Sequence, residues 1–323
     1  MKENIRDAVT LGVDLGGTKV EIALVDLDGQ ILAVRKYPTN PGKGPEGVIN
    51  DVLACIKGCL GEVKLETRAL GIGIAGQVSV DGVVRFAPNL RWRNVPLRKR
   101  LEDNLKMPVV VVNDVRAAAF GEWRFGSGRG LNDVVVLFVG TGVGGGVISN
   151  GKMLTGCANF AGELGHMTIK ADGRKCYCPN WGCLEAYVGG WAIAERTQEA
   201  VQADPIAGQM LLLLAGEISK ITAVTLKDAY RRSDELALRL VEETGRLLSV
   251  GVVGIVNAFN PCLVILGGGV IEGLPELIEI VEDIVQSRGL ESTVEGIKFE
   301  KAALGNNAGV IGAAALAQEK LDL

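Results

Sequence analysis

One arrangement occurs twice in this chain of 323 residues: an apolar β-type run, a glycine turn, and a second β-type run. The first copy is Thr10–Asp14, leading through Gly16, Gly17, Thr18 and Lys19 into Val20–Asp26. The second is Asp133–Val139, leading into Gly140, Thr141, Gly142 and the glycines up to Gly146, then Val147–Ser149. Each copy closes on a hairpin turn, Asp28-Gly29 and Asn150-Gly151. A further run, Ile31–Tyr37, makes the first copy an antiparallel meander. Such a repeat predicts two related lobes whose glycine turns grip one polyphosphate from opposite sides. Glycine lets backbone N–H groups converge on an anion without a Cβ in the way. Asp14, beside the first turn, is placed to hold Mg²⁺ through water. The first turn by itself reads equally as a plain hairpin, and it is neither a Walker loop nor a dinucleotide fingerprint, because GKS or GKT is absent and no helix follows.

The stretch Gly162–Glu185 carries the second constraint. It holds the single histidine of the chain, His166, and three of its seven cysteines, Cys176, Cys178 and Cys183. The pattern H-x9-C-x-C-x4-C suits a closed tetrahedral zinc site with one imidazole and three thiolates. Glu163 and Glu185 flank it, so a metal-pinned loop would fix two carboxylates as acceptors for a polyhydroxylated ligand. Cys55 and Cys59 instead fit the apolar face of a helix, Glu46–Leu60, as core residues.

Other motifs lie at the ends of predicted strands. Leu70–Ala75 ends at Gly76, and a hairpin with an Asp81-Gly82 turn follows. Asn89, after a proline, is either a turn former or an amide presented to a ligand hydroxyl. Val109–Val112 ends at Asn113 and Asp114 before a helical run; Asp114 there either caps the helix or does chemistry at a strand tip. Leu263–Leu266 runs into Gly267, Gly268 and Gly269, which read equally as a strand-to-helix turn or as a close approach to an adenine or ribose. Helices are expected over Tyr187–Val201, Met210–Ile218, Leu226–Arg231, Asp234–Phe259, Leu274–Gln286 and Ala308–Gln318, with a strand at Gly296–Ala302. The second half of Asp234–Phe259 is apolar all round, which predicts a buried central helix. The alternation is that of an α/β protein.

Composition narrows the function classes. A net charge of −4 and a pI near 5.4 give no general electrostatic reason to bind nucleic acid. The N-terminal residues lack a secretory apolar region, and no apolar run is long enough to span a bilayer. An odd number of cysteines clustered in a C-x-C loop then points to a reducing cytoplasm and a metal, not to disulfides.

With these residues in place, the chain resembles the ROK family (repressor, open reading frame, kinase), and within it the bacterial and archaeal glucokinases. The likeness covers nearly the whole chain. GELGH followed by CxC-x4-C-x-E is its most specific part, and DLGGTK, FAPNL, the Asn-Asp pair, GTGVGGG and LGGG occur in family order. The resemblance implies an α/β, actin-like (ribonuclease-H-like) two-lobed ATPase fold with a cleft between lobes. The small lobe would hold residues 1–115 plus 304–323, and the large lobe 116–303. It implies ATP and Mg²⁺, with phosphates against Asp14–Lys19 and Gly140–Gly142 and adenosine near Gly267–Gly269. It implies a hexose held by Asn89, Asn113, Glu163, His166 and Glu185, near Gly76, with Asp114 as catalytic base. It implies a structural Zn²⁺ on His166, Cys176, Cys178 and Cys183. The expected activity is phosphorylation of the 6-hydroxyl of a hexose, glucose first, with N-acetylmannosamine, N-acetylglucosamine, fructose or allose as the other sugars. A sugar-sensing regulator is the non-enzymatic alternative, disfavoured because DLGGTK stands too near the N-terminus for a preceding DNA-binding domain. Relatives imply a homodimer or homotetramer. Two residues depart from the family pattern: Pro179 replaces the usual glycine after the second cysteine, and Arg116 stands where a small polar residue is usual.

Overall fold

The computed structural model describes residues 9–62 and 67–321. The reading of the N-terminus falls largely on residues 1–8, outside the described residues. The chain forms two compact units: Met1–Gly130 with Met153–Gly162 and Ala303–Leu323, and Leu131–Lys152 with Glu163–Ala302.

The first unit is built on a five-stranded sheet. Its strands are β1 (Val9–Leu15), β2 (Lys19–Val25), β3 (Ile31–Pro38), β4 (Thr67–Ile74) and β8 (Val109–Asn113), in the order β3-β2-β1-β4-β8. β1, β2 and β3 form the antiparallel meander, while β4 and β8 run parallel to β1. β1 is buried along nearly its whole length, as expected of a strand covered on both faces. β3, at the edge, carries Arg35 and Lys36 outward, which discourages edge pairing. Three short strands, β5 (Gln77–Val78), β6 (Val84–Ala87) and β7 (Trp92–Val95), form a small separate antiparallel sheet. The helices are α1 (Gly44–Glu62), α2 (Leu97–Leu105), α3 (Asp114–Phe125) and the C-terminal α12 (Ala308–Lys320).

α12 lies unusually close to its neighbours because small residues allow it. Gly12 of β1 and Gly71 of β4 are directly paired across the ladder, and together they make a trough in the sheet. A Cβ at either would collide with a backbone carbonyl of α12, that of Val310 or Ala313. On the other side, a Cβ at Gly312 would strike the carbonyl of Ala117 in α3. Glu122 of α3, fully buried, accepts from the backbone N–H groups of Leu304 and Ala303 at 2.7 and 3.0 Å. These contacts hold α3 within the first unit. The lobe boundary expected at residue 115 therefore differs from the structure, in which the unit runs to Gly130 and also takes in Met153–Gly162.

The second unit repeats the topology. Its strands are β9 (Val134–Val139), β10 (Val143–Ser149), β11 (Lys152–Met153), β12 (Leu263–Gly267) and β13 (Lys298–Lys301), in the order β11-β10-β9-β12-β13. Here too a hairpin feeds parallel neighbours. Glycines 144–146, read as part of the turn, belong to β10, leaving Gly140–Gly142 as the turn proper. The helices are α4 (Glu185–Val188), α5 (Gly190–Ala203), α6 (Gln209–Ala215), α7 (Ala223–Tyr230), α8 (Glu235–Phe259), α9 (Gly269–Gly273), α10 (Glu276–Arg288) and α11 (Glu291–Val294). The single helix expected from Tyr187 is broken at Gly189, which is extended with ψ 148°. α8 packs by Leu236, Leu240, Leu248, Val252 and Ile255, yet Val250 is 42% exposed, so its second half is not buried all round. Among the described residues no helix is long and apolar enough to cross a membrane.

The α12 trough makes a stability prediction. Gly71→Ala is expected to lower the unfolding free energy by about 1–3 kcal/mol, as overpacking against backbone. Gly58→Ala, on the exposed face of α1 with open space around it, should raise it by about 0.5–1 kcal/mol. Urea unfolding of both variants reads the opposite signs.

Candidate functional site

In the first unit, the β1–β2 turn is closed by Gly16 N donating to Lys19 O at 2.9 Å. Asp14 and Glu21 face one another across the β1–β2 ladder. Glu21 is buried and is compensated by Lys36 at 3.0 Å and Lys19 at 3.7 Å. Among the described residues Asp14 makes no such ion pair. Burial, and then the charge of Asp114, push its carboxyl up to about 6, against a smaller opposing pull from Lys19. Asn89 sits in a tight turn, Pro88–Leu90, against Gly17, where a Cβ would collide with it.

At the tip of β8 the helix cap is not Asp114. Asn113 is the helix cap: its Oδ1 accepts from Arg116 N at 3.0 Å. Asp114 is therefore the first helical residue. Its Oδ1 accepts from Val115 N at 2.9 Å and from Asn113 Nδ2 at 3.0 Å, which fixes the plane of the carboxylate. Asn113 Nδ2 also reaches the carbonyl of Gly76 at 3.2 Å. Gly76 is required there, because a Cβ would run into Phe86 and Ala87. Asn113, Asp114 and Gly76 are thus one hydrogen-bonded group.

Arg116 continues this network. Buried at 6% exposure, it donates through Nη1 and Nη2 to the carbonyl and Oδ1 of Asn159, at 2.7 and 3.1 Å. Asn159 in turn donates to Val78 O at 3.0 Å and holds a left-handed backbone, φ 68°. The departure at residue 116 is thus a strap between α3 and residues 153–162.

In the second unit, four ligand atoms from His166, Cys176, Cys178 and Cys183 lie within 4.8 Å of one another. His166 Nδ1 is 3.7 Å from Cys176 Sγ, and Cys178 Sγ is 3.6 Å from Cys183 Sγ. Tetrahedral zinc, with bonds of about 2.3 Å to sulfur and about 2.0–2.1 Å to nitrogen, spaces its ligands by roughly this much. Burial pushes the Cys176 thiol up to about 12 and also raises that of Cys183. Burial acts the same way on Cys178, but the Asn180 backbone and the neighbouring sulfurs outweigh it and hold that thiol low. Thiols raised like those of Cys176 and Cys183 retain protons until a divalent cation replaces them. The donor set fits zinc, and Nδ1 as the clustered nitrogen leaves Nε2 as the other face of the ring. Pro179 is not among the residues with positive φ, so this loop does not need a glycine there.

Glu163 leads into the short helical turn Leu164–His166, its carbonyl accepting from His166 N at 3.0 Å. Glu185 does more than flank the cysteines. Its Oε2 accepts from Val143 N at 2.8 Å, and its Oε1 lies 3.8 Å from Cys176 Sγ. It therefore joins the cysteine loop to the end of the glycine turn. That turn is closed by Gly140 N to Gly142 O at 2.9 Å. The start of α5 docks on it, Gly190 N to Gly140 O at 2.8 Å and Trp191 N to Thr141 O at 3.3 Å, which satisfies donors that a helix start leaves open. The break at Gly189 makes this docking possible.

A cavity of about 580 Å³ opens beside this turn, lined by Gly140, Thr141, Trp191, Val224, Lys227 and Gly269 among others. Gly267 and Gly268 do not line it. Gly267 packs against Ala302 and Phe138, and Gly268, at φ 89°, has no room for a Cβ beside Val139. Sequence reasoning missed Trp191 and the Thr222–Lys227 segment. A signal was present, in that an aromatic follows a Gly-Gly pair, but nothing local ties that pair to a turn fifty residues earlier.

Residues 10–320 match the ROK family model. The chain belongs to the ROK family. This ROK protein is 36% identical over 318 residues to a glucokinase of Streptomyces coelicolor, covering 96% of the chain and 98% of that relative. Among solved structures, a ROK family glucokinase from Streptomyces griseus in complex with glucose and AMPPNP is 35% identical, with TM-score 0.78 and coverage of 96% and 99% of the two chains. A ROK hexokinase from Thermus thermophilus is 30% identical, with TM-score 0.82 and coverage of 97% and 99%. The fold is accordingly the actin-like α/β fold of ROK kinases.

The position of Asp14 makes a pH prediction for this ROK protein. Its folded value of about 6 lies above the ordinary 3.8, so the fold prefers the proton on. The associated stability is complete below about 3.8 and is lost as pH rises through about 6. Asp14→Asn avoids that loss. It should be more stable than the parent at pH 8 by about 3 kcal/mol, with the gap roughly halved at pH 5. Urea denaturation at the two pH values measures it.

Proposed function

We propose that this chain is an ATP-dependent glucokinase that transfers the γ-phosphoryl group of ATP to the 6-hydroxyl of glucose. The observation that carries this reading is the full-length likeness to glucokinases, one of them solved with glucose and AMPPNP. The geometry around Asp114 supports it independently. A primary hydroxyl is a weak nucleophile, and a carboxylate within hydrogen-bond reach takes its proton as the oxygen attacks phosphorus. Asp114 has one oxygen anchored by two donors, so its orientation is set before any substrate arrives. Asn113 and Gly76 belong to the same rigid group, and Asn89, Glu163, His166 and Glu185 complete the proposed set of sugar ligands.

Phosphoryl transfer needs positioning and charge stabilisation more than covalent help. The backbone N–H groups of Gly16–Lys19 and of Gly140–Gly142 would hold the phosphates, and the cavity beside Gly269 would take the adenosine. Mg²⁺, when bound near Asp14, supplies neutralising charge to the phosphates. Ionised Asp14 is needed for that, so the residue that weakens the apo fold at neutral pH is the one that serves the nucleotide. His166, Cys176, Cys178 and Cys183 would hold a structural zinc. Four protein ligands leave no open position, so the cluster has no Lewis-acid role in the transfer. The assembly is proposed as a homodimer or homotetramer in the cytoplasm, to be read by light scattering on the eluting protein.

A coupled assay of ADP release over glucose, mannose, fructose, N-acetylmannosamine and N-acetylglucosamine tests the activity, and the highest kcat/KM is expected for glucose. Asp114→Asn should lower kcat by about 10²–10⁴-fold. Glucose affinity by calorimetry should stay within a few-fold. Near-parental kcat in that variant would remove Asp114 from its role.

A further inference from the structure

We propose that the cysteine loop and the nucleotide pocket of the second unit form one coupled element, in which Tyr177 and Glu185 carry the state of the metal cluster to Trp191 and the Gly140–Gly142 turn. This inference rests on the proposed use of that pocket for a nucleotide.

Two separate connections run between the same endpoints. Tyr177 lies between Cys176 and Cys178 and is 76% exposed, an unusual cost for an aromatic side chain in a polar loop. Its ring rests against that of Trp191, with centroids 4.2 Å apart and planes tilted by 32°. Trp191 lines the cavity of about 580 Å³, and its backbone N–H is bonded to Thr141 O of the glycine turn. Its indole Nε1 is buried and has no hydrogen-bond acceptor among the described residues. A buried donor without a partner is expensive, and it is placed beside the pocket where nucleotide oxygens and nitrogens would arrive. The second connection is Glu185. One of its oxygens is near Cys176 Sγ, and the other accepts from Val143 N at the end of the glycine turn.

The physical consequence follows from how the loop is held. The segment Lys170–Gly182 has little apolar material, with short β-bridges at Thr168–Cys183 and Lys175–Trp181 as its regular backbone pairing. With the four ligands clamped, Tyr177 is fixed as a wall for Trp191, and Cys176 is held in place beside Glu185. With the ligands released, Tyr177 loses its anchor, Cys176 is no longer held beside Glu185, and both supports of the glycine turn loosen together. Ordering the loop once, for the metal, reduces what nucleotide binding must order later. Linkage then requires the reverse: nucleotide must hold the metal more tightly by the same factor.

The test uses zinc-loaded full-length protein, ADP as probe and calorimetry, so that turnover plays no part. Stripping zinc should weaken ADP binding by about tenfold or more. Tyr177→Ala, shown by metal analysis to keep one zinc, should weaken it by about fivefold, while Tyr177→Phe, which keeps the ring, should match the parent. Glucose affinity of Tyr177→Ala should stay within twofold. Transfer of zinc to a chromophoric chelator should be slowed by ADP in the parent and much less in Tyr177→Ala. Should the stripped protein unfold, Tyr177→Ala and the chelator arm still decide. Equal ADP affinity in the parent and Tyr177→Ala, with zinc release indifferent to ADP, would overturn the coupling. Failure of zinc-loaded parent protein to bind ADP at all would instead overturn the nucleotide reading beneath it.

Discussion

Contact of backbone on backbone, where side chains would ordinarily intervene, underlies the first unit. α12 can lie in the trough made by Gly12 and Gly71 only because neither carries a Cβ, and α3 can lie on α12 only because Gly312 is equally bare. Close approach of this kind leaves little freedom in depth or rotation. It fixes α3, and with α3 the cap at Asn113 and the carboxylate of Asp114. Glu122 locks the arrangement by accepting from the backbone that leads into α12. A C-terminal helix is thereby made part of the scaffold of a residue two hundred positions earlier.

Charge is arranged in the same unit with less comfort. Glu21 is buried but compensated by two lysines, whereas Asp14, directly across the ladder, is raised by burial and by Asp114. Ionising Asp14 is therefore costly in this setting, and a cation in the proposed nucleotide site would lower that cost. The strain in the ligand-free protein is local and sits where the proposed nucleotide would remove it, a pattern common where function and stability compete.

The second unit meets a different need. Its cysteine loop has few apolar residues to fold around, and a closed set of nitrogen and sulfur ligands on the proposed zinc would take the place of a core. Glu185 and Tyr177 then tie that loop to the glycine turn and to Trp191. The cysteine loop, which in sequence looks devoted to the sugar, is in three dimensions equally a support for the proposed nucleotide pocket. The start of α5 belongs to the same support, since the break at Gly189 aims its open donors at the carbonyls of Gly140 and Thr141.

Much of this was legible in one dimension. The doubled strand–glycine–strand pattern depends on neighbours in the chain, and it predicted both hairpins and a repeated architecture, while the strand order came from the structure. The cluster of His166, Cys176, Cys178 and Cys183 was legible for the same reason, since four donors within eighteen residues need no long-range information to be noticed. Contacts between distant segments were not legible. Nothing local to Arg116 announces Asn159, nothing near Gly71 announces Ala313, and nothing near Gly140 announces Gly190 and Trp191. The sequence by itself determined the strands, the turns and the donor types, because periodicity and turn chemistry act over a few residues. Only the tertiary structure decided that Asn113 and not Asp114 caps α3, that Glu185 braces a glycine turn, and that a Cβ at Gly267 or Gly268 would meet neighbouring protein. Each of those outcomes depends on which backbone group another segment brings within hydrogen-bond or van der Waals reach.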